Sequence, residues 1–240
     1  MNAHELFKAG RLDEAIESLG AGLRSDPTDA QRRIFLFELL CFAGNHARAE
    51  KQLDVLAERS QQAEMGTLLY RSALHADQLR QQMFARGEYP MGGPPPARVT
   101  GTINGRAFET LEDADPRIGP RLEVFAAGQY MWLPLEHVAS VSMPAPTRLR
   151  DLLWTPAVVR AGPSFRGIEL GEVLLPAITP LAWQHPSAAV RLGRVTEWRE
   201  LDGGGEAPVG QKMLLVDGEE FPFLELRELE IAPVPAVATP

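Results

Sequence analysis

The sequence holds a single cysteine, Cys41, so no intrachain disulfide can form, which suits a reducing compartment. Cys41 sits among Phe37, Leu39, Leu40 and Phe42, the setting of a small buried hydrophobe. No apolar run approaches the ~20 residues that span a bilayer. The N-terminus MNAHELFKAGR has no basic segment followed by an apolar core, so a secretory signal is not expected. These absences point to the cytoplasm. A surplus of positive charge is missing too: the net charge is −8, divided as −2 over residues 1–90 and −6 over residues 91–240. Nucleic-acid binders carry a basic face and excess Lys/Arg. Neither a nucleic acid nor a membrane is therefore expected as partner.

Patterns that carry chemistry are also absent. His4, His46, His75, His137 and His185 stand singly, and no HExxH or CxxC occurs, so no metal site is expected. The glycines at 203–205 lie in a polar stretch without a following GK[ST], which suggests a flexible loop and no phosphate cradle. GPSFRG at 162–167 places its second glycine one position too far for a nucleophile elbow. The acidic pairs Asp113/Asp115 and Glu219/Glu220 fall at turns, where carboxylates are solvated or cap backbone N–H groups. No catalytic residue and no cofactor site emerges.

What is present begins with helices. Leu12, Ala15, Ile16, Leu19 and Leu23 form one amphipathic stripe. Residues 34–42 are apolar nearly all round and predict a central helix packed on both sides. Ala49, Leu53 and Leu56 make a third stripe. Met65, Leu68, Leu69, Ser72, Ala76, Leu79 and Met83 make a fourth, longer one. Leu6, Gly10, Ala15 and Leu19 recur as Leu40, Gly44, Ala49 and Leu53, each pair 34 residues apart. That is the tetratricopeptide period, in which glycine ends the first helix and a small residue lets the two helices approach. Barely two copies are present, so the long helix near 64–86 or the following domain must cover the open end.

Residues 87–96, GEYPMGGPPP, hold four prolines and three glycines, which sustain neither helix nor central strand. Beyond them the pattern changes to short runs between Gly/Pro turns. Strands are predicted at 97–103, 122–126, 129–133, 138–143, 158–161, 173–175, 212–216 and 221–226, with short helices at 148–154 and 187–192. Ala127-Gly128 and Asp217-Gly218 are hairpin turns. The expected architecture is α+β: a TPR-like helical domain (1–86), a Pro/Gly linker (87–96), a β-rich domain (97–232) and a mobile tail (233–240).

Five segments in series resemble one known family: LFKAGRLDEAI (6–16), DADPRIGPRLEVFAAGQYMWLPLEHV (113–138), RLRDLLWTPA (148–157), RLGRVTEW (191–198) and VGQKMLLVDGEEFPFLELREL (209–229). Together they look like the ImpE/TagJ (SciE-type) proteins, accessory factors of bacterial type VI secretion systems. The chain departs from the family pattern at FETLE (108–112) and PAITPLAW (176–183), loops suited to partner preference. The resemblance implies a cytoplasmic, non-enzymatic factor. It also implies a partner, the N-terminal helix of the small sheath subunit TssB, and an indirect link to the ClpV ATPase.

A helix-binding adaptor would offer a groove for anchors at i, i+3, i+4 and i+7, on the concave side of the helical array or near the hairpin at Gly128. Tyr130, Trp132, Trp154 and Trp198 are the aromatic partner-binding candidates. Tyr130 and Trp132, two apart, share one face of a strand, with the core as its expected direction. Arg150-Asp151, Arg191 and Arg194 are polar anchors whose plainer role is an ion pair within the domain. The competing readings are a TPR-type scaffold for an unrelated helix, and a small-molecule-binding or hydrolytic C-terminal domain around Glu136/His137 or Arg150/Asp151.

Overall fold

A computed structural model describes residues 1–90, 96–163 and 170–233. The centre of the Pro/Gly segment, most of the loop at 162–167 and nearly all of the expected mobile tail lie outside the described residues. The helical part comprises α1 (Ala3–Lys8), α2 (Leu12–Ser25), α3 (Ala30–Phe42), α4 (His46–Ala57) and α5 (Gln61–Arg86). Gly10 and Gly44 take φ of +75° and +66°, so the repeated glycine supplies the left-handed turn between α1 and α2 and again between α3 and α4. The repeated Ala15 and Ala49 are both fully buried. Asp29 caps α3 by accepting from Arg32 N, and Ser60 caps α5 by accepting from Ala63 N. The stripes predicted on α2 and α4 are the buried ones, and α3 is buried continuously from Phe35 to Phe42.

The β-rich part contains β1 (Gly101–Ile103), β2 (Arg106–Phe108), β3 (Leu111–Asp113), β4 (Arg121–Ala126), β5 (Gln129–Pro134), β6 (Val138–Ser142), β7 (Trp154–Ala161) and β8 (Gly171–Pro176). After the short α6 (Ala188–Arg191) come β9 (Thr196–Glu200), β10 (Glu206–Gly210), β11 (Met213–Val216), β12 (Glu219–Pro222) and β13 (Glu228–Ile231). Eight strands form one antiparallel sheet in the order β2-β1-β13-β6-β7-β8-β4-β5, with β12-β11-β3 and β10-β9 as smaller sheets. Ala127-Gly128 (φ +49°, +77°) and Asp217-Gly218 (φ +54°, +81°) are paired left-handed turns. Asn104-Gly105 (φ +49°, +79°) joins β1 to β2 in the same way and went unread in the sequence. The helix predicted at 148–154 is a 3-10 turn over Leu149–Leu152, and β7 starts at Trp154. The strand predicted at 221–226 gives way after Pro222 to another such turn.

Alternation along β4, β5, β7 and β8 gives the large sheet two buried faces. Leu122, Val124, Leu133, Val159, Val173 and Leu175 pack with Leu214, Val216 and Phe223. On the opposite face Phe125, Trp154 and Leu174 join the core of the helical array. Of the fourth predicted stripe, Ala76 alone is buried in the core. On α5 the buried residues include Ala73, Leu74, Asp77, Arg80 and Phe84, whereas Met65, Leu68 and Leu69 are 72%, 64% and 53% exposed. The physical reason is that α5 overhangs: its second half lies on β4 and β5, and its first half projects past the hairpin.

Candidate partner-binding site

The hairpin β4–β5 is fixed to α5 by charges that have no access to solvent. Glu123 stands opposite Trp132 in the strand pair, on the same face as Phe125 and Tyr130. Arg80 reaches this face from α5, and Lys212, just before β11, reaches it from below. Both cations bond to Glu123, Lys212 also bonds to Asp113, and Tyr130 donates its hydroxyl to Glu123. Arg80 Nη1 also donates to the Ile178 carbonyl at 3.0 Å. Two cations meet two carboxylates, so the buried set is neutral when all four are ionised.

Burial alone would raise Glu123, but the Arg80 and Lys212 charges outweigh it and hold the carboxyl well below the usual range. Burial raises Asp113 to about 6, with Lys212 opposing the shift only in part. The expectation that Asp113 and Asp115 are solvated is corrected, since both are buried. Their capping is real: Asp113 Oδ1 accepts from Asp115 N at 2.9 Å, and Asp115 Oδ1 accepts from Arg117 N at 3.0 Å.

The hairpin turn and the first half of α5 leave a hollow between them. Ser72 Cβ lies 3.7 Å from where a Cβ on Gly128 would stand, so two small residues set the approach. Beside it, Met65, Leu68, Leu69, Phe125, Ala127 and Leu174 line a hollow of about 350 Å³. A second hollow of about 450 Å³ shares Leu69, Phe125, Ala127 and Leu174 and runs on over Tyr70, Trp154, Pro156 and Val158. The two make one apolar groove walled by a helix and floored by a sheet. Its exposed side chains Met65, Leu68 and Leu69 fall at i, i+3 and i+4.

The four aromatic candidates occupy different places. Tyr130 and Trp132 share a strand face as expected, and that face is turned to α5. Trp132 donates its indole N–H to Tyr130 and stacks on Tyr89 at 6.0 Å. Trp154 is buried against Phe37 at 6.3 Å and forms part of the groove floor. Trp198 stands half-buried on β9, opposite Pro208 of β10. Arg150 does not pair with Asp151. It pairs with Glu38 at 3.5 Å and lies over the Tyr70 ring at 4.6 Å, while Asp151 accepts from Thr147 N and Arg148 N. Arg191 grips Asp13 of α2 at 2.9 and 3.0 Å, and Arg194 donates to the Phe7 and Lys8 carbonyls at the end of α1. Glu136 and His137 lie in a 3-10 turn over Leu135–His137.

Cys41, His46 and Asp77 line one hollow, but it holds only about 20 Å³. Burial pushes the Cys41 thiol well above its ordinary value, the opposite of what a nucleophile needs. Among the described residues no group of three His, Cys, Asp or Glu side chains could hold a metal ion, and no helix is long and apolar enough to cross a membrane.

A family model described as ImpE protein matches residues 105–230, and one for the tetratricopeptide repeat matches residues 6–71. The chain belongs to the ImpE family. This ImpE chain is 36% identical over 269 residues to the type VI secretion system accessory component TagJ of Pseudomonas aeruginosa, covering 98% of the chain and 93% of the relative. Its fold is shared with the crystal structure of protein VPA1032 from Vibrio parahaemolyticus, at a TM-score of 0.84 and 22% identity over 98% of both chains. The TPR-like helices followed by a β-rich region, expected from the sequence, are what the ImpE chain has. The residues missed were Arg80, Glu123 and Lys212. Their signal was present for two: Glu123 interrupts an otherwise apolar strand, and Lys212 directly precedes the run Met213–Val216.

Proposed function

We propose that this ImpE chain is a non-enzymatic accessory protein of a type VI secretion system that seats the N-terminal helix of the sheath small subunit, TssB. Through that contact it serves sheath assembly or recycling by ClpV, in the cytoplasm. The similarity to a type VI secretion accessory component supports the setting. The observation that carries the binding mode is the uncovered stripe Met65, Leu68 and Leu69, facing Phe125 and Leu174 across the groove. An amphipathic helix laid there meets apolar side chains from both walls, the geometry of helix-in-groove recognition. Covering side chains of this size stabilises a complex by about 1.5–3 kcal/mol each before the costs of association. Trp154 on the sheet floor and Tyr70 on the helix wall supply the aromatic surface, while Tyr130 and Trp132 hold the hairpin against α5.

The test is co-purification of the chain with the small sheath subunit, whole and lacking its first helix, using wild type and Leu68→Asp. Binding that needs both the helix and Leu68 is the expected result. Undiminished binding after removal of the helix would overturn the mode.

A further inference from the structure

A second cleft, of about 800 Å³, opens between α1 and α3, and residues 148–150 close its third side. Its floor is apolar. His4 stacks on Phe35 at 4.3 Å, Phe7 meets the same ring edge-on at 5.7 Å, and Leu149 packs against this cluster. Its charge is opposite to that of the chain: Lys8, Arg32, Arg148 and Arg150 line it against Asp29 and Glu38, on a protein of net charge −8. Arg32 is engaged by Asp29 at 3.5 Å. Lys8 and Arg148 are exposed and enter no ion pair among the described residues.

Arg150 is already partnered: its Nε is closed to solvent and stands 3.5 Å from Glu38, and its guanidinium lies over the Tyr70 ring. With Arg32 held by Asp29 and Arg150 by Glu38, the lining keeps two uncompensated positive charges, Lys8 and Arg148, beside the apolar floor. Exposed cations next to apolar surface suit a segment that carries both carboxylates and apolar side chains.

We propose that this cleft docks an acidic segment of a protein partner, with carboxylates on Lys8 and Arg148 and an apolar side chain against Phe7, Phe35 and Leu149. The apolar floor favours a peptide over a polyphosphate, which would leave those rings uncovered. The site is separate from the helix groove, but the two share a wall. Arg150 lines the cleft, and Tyr70, under its guanidinium, lines the groove.

The experiment uses the full chain and fluorescence anisotropy with a short labelled peptide alternating glutamate with leucine, beside a counterpart carrying glutamine for glutamate. The glutamate peptide should bind at least about tenfold more tightly, and its binding should weaken as salt is raised. Lys8→Glu with Arg148→Glu should lower its affinity by about tenfold or more, whereas Leu68→Asp should leave it unchanged. Both replaced residues are exposed, and a wild-type circular dichroism spectrum confirms that each variant is folded. Arg148→Gln serves as a milder second variant with the same expected direction. The proposal is overturned if the glutamate peptide does not bind, if the two peptides bind alike, or if only Leu68→Asp removes binding. Displacement by a single-stranded oligonucleotide at lower concentration than by unlabelled peptide also overturns it, and assigns the rim to phosphate.

Discussion

Arg80 and Glu123 form a two-pronged ion pair across the joint between α5 and the sheet, with Nε–Oε1 at 2.7 Å and Nη2–Oε2 at 2.8 Å, and both side chains are closed to solvent. Such a pair gives weak evidence of net stability, because desolvating the two ions offsets most of their attraction. What it does is fix one geometry. The guanidinium fork matches the carboxylate only when α5 sits at one height over β4.

Removing one partner should therefore cost far more than removing both. Arg80→Met leaves Glu123 buried with Lys212 as its remaining cation, and a loss of about 3–5 kcal/mol is expected. Arg80→Met with Glu123→Leu should recover a large part of it. Urea denaturation of the two single variants and the double variant measures the difference, and additive losses would show that the pair does not act as a unit.

The acid titration should carry the mark of Asp113. Its carboxyl is raised by burial to about 6, so between its unfolded value and pH 6 the folded protein binds the extra proton. That contribution to stability is present at low pH and is lost as pH rises through about 6. Glu123 is held low and acts in the opposite sense: its contribution is present above the unfolded value and disappears only in strong acid. From pH 4 to 6, Asp113→Asn should gain more stability than wild type, the curves diverging by about 2 kcal/mol. Parallel urea-midpoint curves across this range would mean that Asp113 is ionised throughout.

The two repeat glycines should differ in tolerance although they occupy equivalent turns. Both have positive φ, which costs alanine about 1–2 kcal/mol. Around Gly10 there is room, with the nearest atom, on Arg194, 3.8 Å from the added Cβ. At Gly44 the Cβ would overlap the Trp183 ring. Gly44→Ala should lower stability by about 1–3 kcal/mol more than Gly10→Ala. In a Trp183→Ala background that excess should vanish, which thermal unfolding of the four variants can show.

Exposure on α5 predicts a separation of stability from binding. Met65→Ser and Leu68→Ser should change unfolding free energy by no more than about 0.5 kcal/mol, yet weaken capture of an amphipathic helix. A large loss of stability would place these side chains in a contact within the chain instead.

Much of this architecture could be read from residue periodicity. The stripe Leu12, Ala15, Ile16, Leu19 and Leu23 is the buried face of α2, and the recurrence of Gly10 as Gly44 fixed where two helices turn. The hairpin followed from alternation in 122–126 and 129–133 around a residue pair suited to positive φ. The stripe on α5 misled because periodicity shows that a helix face is apolar, not that anything covers it. The charged set was out of reach for a different reason. Asp113 and Glu123 lie on neighbouring segments, but Lys212 is 89 residues beyond Glu123 and Arg80 belongs to a helix. Only the pairing of β3 with β11 and the seating of α5 on the hairpin bring the four together. The cleft between α1 and α3 depended likewise on the loop at 148–150, whose sequence gives no sign that it returns to the first helix.

Stacked helical hairpins usually flex like a spring, since each unit touches only its neighbours. Here one stretch of the β-rich part holds two successive turns: Trp183 against Gly44, and Arg194 on the carbonyls beside Gly10. The superhelical pitch between the repeats is thus set from outside the array. The two clamps leave the repeats less room to bend against each other than a free-standing array would have.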